Sequence, residues 1–243
     1  RLRNWKKAAE FYTEFAKDSE AALNGDVALH NAGVAYRNMN PAEDDKAIAV
    51  YEILEAKCPT SGLLPSARLE LGILHYRAGR FAKARPPLSK IPASHVLKAD
   101  AEYFLAWSDL DDKQPANAAK RFGVLADQLG AKDITHRLVA LARLYQGIGE
   151  YEGGNFSDAA GTLAKFVGNF PEHDKFDEGA FNLGLARMEL KKWADAIESF
   201  KTVPAVSDLR DRALYQAAWS QRFAGKGEDA IPLYEELLEK HAG

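Results

Sequence analysis

The chain has 243 residues, 47% hydrophobic and 28% charged, as in an ordinary folded globular protein. A net charge of -3 gives neither the basic footprint of a nucleic-acid binder nor a polybasic membrane patch. Cys58 is the single cysteine, so an intrachain disulfide is excluded, and no apolar run approaches the ~18 residues of a membrane span.

Read from the N-terminus, the chain is a succession of helix pairs. Arg1 to Asp18 has the pattern of a second helix whose first would lie upstream. Fuller pairs are expected near 25–60, 65–98, 99–134, 138–171, 176–208 and 210–243. Asn38 to Asp45 reads as a lengthened turn inside the first of these, and Gly153-Gly154-Asn155 and Gly225-Lys226-Gly227 read as tighter turns. Pro59, Pro92, Pro171 and Pro204 each end a second helix, and Pro115 suits a helix start, where its missing N–H is not needed. Pro86-Pro87 and Pro232 fall inside second helices and predict a kink or a late start. The chain stops at Gly243 without the polar cap usual in a repeat array, so continuation at one or both ends is expected.

A phrase recurs along these pairs: aromatic-x-x-Ala-x-x-x-aromatic or Leu. It appears as Trp5-Ala8-Tyr12, Phe81-Ala84-Leu88, Phe156-Ala159-Leu163 and Trp193-Ala196-Phe200, and without its leading aromatic around Ala47, Ala118 and Ala230. About twelve residues before each alanine from Ala47 on stands a second small residue: Ala35 (or Gly33), Gly72, Ala106, Gly147, Gly184 and Ala218. Two antiparallel helices can approach closely only where both carry small side chains, and the large residue one turn after the alanine fills the space beside that contact.

These marks resemble the tetratricopeptide repeat family along the whole chain. The resemblance implies an all-α, right-handed superhelical solenoid of antiparallel helix pairs. It departs from the family pattern where an early tryptophan is replaced by Arg68, Glu102 and Arg143, and where repeats exceed 34 residues. The lengthened repeats resemble bacterial cell-envelope members of the outer-membrane-assembly and cell-division-coordinator kind, which implies a periplasmic or outer-membrane-peripheral setting; a cytoplasmic one stays open.

A longer period lies over the short one. Ala47, Ala84 and Ala118 recur 112 residues on as Ala159, Ala196 and Ala230. So do Pro59 as Pro171, Gly72 as Gly184, Tyr103 as Tyr215 and Trp107-Ser108 as Trp219-Ser220. A three-repeat block used twice explains this. Convergence on a repeat consensus explains the alanines but not Trp-Ser.

No catalytic constellation is legible. His30, His75, His95, His136, His173 and His241 show no metal-ligand spacing and read as surface or packing residues. The Gly147-Ile148-Gly149 and Gly153-Gly154 runs lack the strand before and the Lys-Ser/Thr after that a phosphate loop needs. No cofactor, metal or catalytic residue is expected, and the partner is expected to be a protein or peptide, with no nucleic acid and no membrane insertion by this segment.

The family resemblance implies that the first helices line a concave groove, through the second, fifth, ninth, twelfth and thirteenth positions of each repeat. Carried onto this chain, the candidate groove residues are Tyr76, Arg77, Tyr103, Trp107, Leu110, Tyr151, Phe181, Met188, Tyr215, Trp219, Arg222 and Phe223. Tyr103, Trp107 and Leu110 would form one stripe, and Tyr215, Trp219 and Phe223 another. Such a surface would take an extended segment or an amphipathic helix, unless the two tryptophans pack between repeats. The lysine set with which chaperone-tail readers hold a carboxylate is absent, which disfavours an acidic chaperone C-terminus. Self-association through open ends, or service as the regulatory arm of a larger protein, are the alternatives.

Overall fold

The computed structural model describes residues 4–18 and 25–241. Among these residues there are thirteen α-helices, one short 3-10 turn and no strand, and the chain is all-α and of the tetratricopeptide-like solenoid class. Contacts divide it after Asp112 into two compact units. The first holds α1 (Trp5–Asp18), α2 (Gly25–Arg37), α3 (Asp44–Lys57), α4 (Leu64–Arg77), α5 (Phe81–Ser89) and α6 (Lys98–Asp111). The second holds α7 (Pro115–Gly130), α8 (Arg137–Glu152), α9 (Phe156–Asn169), α10 (Phe176–Glu189), α11 (Trp193–Lys201), α12 (Arg210–Phe223), a 3-10 turn (Glu228–Ala230) and α13 (Ile231–His241). The expected helix start at Arg1 and the expected stop at Gly243 lie outside the described residues.

Within each unit every helix packs on the next, and α4 also touches α6, α8 touches α10, and α10 touches α12. First helices of successive pairs therefore lie side by side. Consecutive helices fold back because the turns between them are short and closed by hydrogen bonds. After α4 the Arg80 N–H reaches the His75 carbonyl at 2.8 Å and Gly79 N–H reaches Tyr76 at 2.9 Å. The same pair of bonds follows α8, α10 and α12, through Gly154, Lys191 and Gly225. This double closure needs one residue with positive φ. Gly79, Gly154 and Gly225 supply it without strain, whereas Lys191 adopts φ 58° with a side chain attached.

The turns between pairs are closed differently. A Ser or His shortly before the next helix accepts the N–H of the residue two positions on: Ser61 from Leu63 (3.1 Å), His95 from Leu97 (3.1 Å), His136 from Leu138 (3.2 Å), His173 from Lys175 (3.0 Å) and Ser207 from Leu209 (3.1 Å). Three of the six histidines thus serve as turn caps, in place of the helix N–H groups' missing partners.

The repeated alanines Ala47, Ala84, Ala118, Ala159, Ala196 and Ala230 are buried. The small residues before them act otherwise than the sequence suggests. A methyl on Gly72 or Gly184 would meet Leu88 or Phe200, not the alanine, and one on Gly147 would stand 2.6 Å from Leu163 Cγ. The close contact is between the glycine and the large side chain one turn beyond the alanine. In the first pair it is Gly33, opposite Tyr51, that takes this role, which decides between Gly33 and Ala35.

Arg68 and Arg143, at the position of the family's tryptophan, reach back to the preceding second helix. Arg68 pairs with Glu55 at 3.0 Å and Arg143 with Asp127 at 2.6 Å. They tie adjacent pairs with charge where the ring would do so by area. Pro232 falls at the second residue of α13, after the 3-10 turn, as a late start. Pro86 and Pro87 lie inside α5, yet α11, with no proline, has the same nine-residue length, so the prolines do not set it.

The 112-residue period is written into the helix ends. The starts at 44, 64, 81 and 98 recur at 156, 176, 193 and 210, and the ends at 57, 77, 89 and 111 recur at 169, 189, 201 and 223, each 112 residues on.

Candidate partner-binding surface

The twelve sequence-derived groove residues separate into three groups. Leu110 and Phe181 are corrections: both are buried, and Phe181 reaches only the wall of a cavity between α10 and α12. Phe181 is at the fifth position of its repeat. Position five is also buried at Leu69 and Leu144. In each case a first helix of the following pair lies alongside in the same unit, so this position is an inter-repeat contact rather than a groove floor. Phe181 meets Phe200 at 5.7 Å, and the Arg212 guanidinium lies 4.8 Å above its ring.

The second group clamps turns. Tyr76 packs on Phe81 across its own turn (5.9 Å) and on Phe104 of α6 (5.8 Å), and its hydroxyl donates to Asp111 at 2.7 Å. Tyr151 packs on Phe156 in the same way (5.5 Å); burial, helped by the Glu189 charge, pushes its phenol up. Met188 packs part-buried on the α10–α12 core, while Arg77 is exposed.

The third group is the pair of aromatic stripes. In the first unit Tyr103 and Trp107 meet edge to face at 6.3 Å, both half-buried. In the second, Tyr215 meets Trp219 at 6.1 Å and Trp219 meets Phe223 at 5.4 Å. Ser108 and Ser220, one residue after each tryptophan, are buried and donate back to Phe104 and Gln216 carbonyls at 2.8 Å. The second stripe is the open one: Tyr215 is 45% exposed and Phe223 56%. Trp193 stacks on Phe223 at 5.2 Å, and the Arg222 guanidinium lies 5.2 Å from the Trp219 ring centre.

Beside this stripe two cavities open. One, of about 440 Å³, lies between α10 and α12 and includes Phe181, Asn182, Leu185, Leu209 and Arg212. The other, of about 490 Å³, lies between α12 and α13 and includes Tyr215, Leu237 and Leu238. Arg212 belongs to both. It stands at the second position of its repeat, a groove position to which the sequence pattern assigned no residue. A third cleft, of about 910 Å³, lies between α1 and the α2–α3 turn, with Trp5, Tyr36 and Pro41 among its walls; none of the twelve residues lines it. Among the described residues no group of three or more His, Cys, Asp or Glu is placed to hold a metal ion, and no helix is long and apolar enough to cross a membrane.

Family models of the tetratricopeptide repeat match residues 144–208 and 212–243. Over these two segments the chain matches the tetratricopeptide repeat. Outer membrane protein assembly factor BamD of Neisseria gonorrhoeae is 23% identical over 212 residues, covering 74% of this chain and 79% of the relative. BamD of Neisseria meningitidis serogroup B matches equally. Among solved structures, the apo form of RapI superposes with a TM-score of 0.72 at 16% identity, over 98% of this chain and 69% of that one. MamA superposes with a TM-score of 0.64 at 16% identity, over 75% of this chain and 94% of that one. At such identities these structures show the repeat fold, and the aromatic stripe of α12, from Tyr215 to Phe223, falls inside the second matched segment.

Proposed function

We propose that this chain is a non-catalytic scaffold that seats a segment of a partner protein on the faces of its first helices, with α12 as the principal surface. The observation that carries the proposal is the open stripe Tyr215–Trp219–Phe223, held by ring contacts and flanked by two cavities. Tyrosine and tryptophan present large, stiff, amphipathic area, the usual source of binding hot spots. The tetratricopeptide repeat supports a protein or peptide partner, since such proteins are generally interaction scaffolds. The similarity to BamD, an outer membrane protein assembly factor, supports service in a bacterial envelope assembly. Tyr215→Ala and Phe223→Ala should keep the far-UV dichroism and unfolding midpoint of the parent while weakening partner capture from envelope extract at least tenfold. Unchanged capture by both variants refutes the α12 site.

A second reading has its own observation. On α1, Phe11 is 65% exposed and stacks on Phe15, itself 41% exposed, at 6.4 Å. This apolar face supports self-association. Sedimentation over a hundredfold concentration range tests it: Phe11→Ser should lower any concentration-dependent mass, and a strict monomer throughout rejects it.

A further inference from the structure

The two halves of the 112-residue duplication keep the same Tyr–Trp pair and change what surrounds it. On α6 the pair is preceded by Asp100 and followed by Leu110; on α12 the equivalent residues are Arg212 and Arg222. Both α12 arginines are exposed. Several arginines elsewhere sit on carboxylates, Arg68 on Glu55, Arg85 on Asp109 and Asp112, Arg143 on Asp127 and Arg210 on Glu236, while Arg187 donates to the Ser199 hydroxyl and the Asp195 carbonyl. Arg212 and Arg222 have no carboxylate in ion-pair reach among the described side chains. Each lies over a ring instead, Arg212 over Phe181 and Arg222 over Trp219. The acidic residues of the α10–α12 cavity are occupied: Glu178 by Lys175 at 3.2 Å, Asp177 by the Ser207 hydroxyl, and Asp174 beside His173 at 2.9 Å.

We infer that α12 docks an acidic amphipathic segment of a partner protein, its apolar side on Tyr215–Trp219–Phe223 and its carboxylates on Arg212 and Arg222. The inference rests on the scaffold reading above and names the chemistry of its partner. On a helix with ~100° per residue, positions 212, 215, 219, 222 and 223 fall within an arc of about 100°, so rings and guanidiniums share one face. The ten residues from 212 to 222 rise about 15 Å. A docked helix would match that with carboxylates about ten residues apart, and an extended segment with carboxylates about five apart. A guanidinium resting on an aromatic face keeps its N–H edge available to a carboxylate, and the planar fork suits bidentate pairing. Opposite charge then sets orientation and partner choice, while the rings supply area.

Three synthetic 18-residue amphipathic helices test this, alike in a Leu/Phe face and an amidated C-terminus, with polar faces of Glu, Gln or Lys. Fluorescence anisotropy at low salt should show the Glu peptide binding the full chain at least tenfold more tightly than the other two, with the advantage shrinking as salt is raised. Arg212→Glu with Arg222→Glu should transfer the preference to the Lys peptide. Trp219→Ala should abolish binding, and Val96→Ala, an exposed residue outside both stripes, should leave it unchanged. Equal binding of the three peptides, lost with Trp219→Ala, overturns the acidic partner and leaves the aromatic surface standing. No binding by any peptide overturns both. A twelve-nucleotide thymidine strand that competes as well as the Glu peptide also overturns the inference, because the arginines would then be reading phosphate.

Discussion

Gly184 and Gly161 are both helical glycines, and alanine should act on them in opposite directions. Gly161 lies mid-way along α9 with nothing within 4 Å of an added methyl. Gly161→Ala therefore collects only the helix-propensity difference, a gain of about 1 kcal/mol. Gly184 faces the Phe200 ring, and Phe200 is buried in the core of α10, α11 and α12. A methyl there must push a fully packed ring, a cost of about 1–3 kcal/mol against the same gain of about 1 kcal/mol. Gly184→Ala should lose up to about 2 kcal/mol, so the two variants should differ by about 1–3 kcal/mol. Urea unfolding followed by far-UV dichroism and tryptophan fluorescence measures this. Phe200→Leu, the residue found opposite Gly72 and Gly147, supplies the control. In the Gly184→Ala background it should cost less than alone, with a coupling of about 1 kcal/mol or more. If Gly184→Ala is as stable as Gly161→Ala, or the two changes are additive, the glycine–ring contact does not hold these helices together.

Three further outcomes follow from local chemistry. Lys191→Gly should stabilise the second unit by about 1 kcal/mol, since glycine removes the positive-φ strain now carried by a lysine; thermal unfolding checks it. Tyr51→Phe should raise stability by about 1 kcal/mol in urea titration, because the buried Tyr51 hydroxyl has no hydrogen-bond partner and burial pushes its phenol up to about 12. His75 is buried on α4; burial lowers its pKa below 6.5, against the pull of Glu52 and Asp45 and with that of Arg80 and Lys83. The unfolded chain therefore takes the proton more readily. The stability this histidine permits is full above 6.5 and falls as pH drops below that value toward and through the folded one. His75→Leu should flatten the unfolding midpoint between about pH 7.5 and about pH 5.5, and an unchanged slope counts against His75 as the titrating group.

Much of the fold is legible because repetition makes it so. Seven recurring alanines and the small residues before them place the helix pairs, and the turn segments at 38–45, 153–155 and 225–227 fall where the chain reverses. What the spacing could not reveal is direction. It placed Gly72 and Gly184 near Ala84 and Ala196, but only coordinates show that each faces the larger residue one turn on. The groove residues suffer from the same ambiguity. Position five of Phe181 and position five of Tyr215 look alike in sequence, yet one is covered by α12 and the other is open. Burial of a repeat residue depends on what packs beside it, which no single repeat encodes. Arg212 carries no signal in the sequence, since an arginine in a helix is ordinary until the carboxylates around it are paired elsewhere.

The coincidence of helix ends at a fixed interval has a consequence for how such a chain can change length. Removing 112 residues between equivalent turns, for instance joining Arg80 directly to Trp193, restores a sequence in which α4 runs into α11 through a turn of the usual form. Gly72 would then face Phe200 in place of Leu88, a swap between two side chains that already fill the same kind of site. Unequal recombination between the halves would thus yield shorter or longer offspring with every remaining junction of a type already tolerated. The gene could trade length for valency in whole steps, with no intermediate in which a helix lacks its mate.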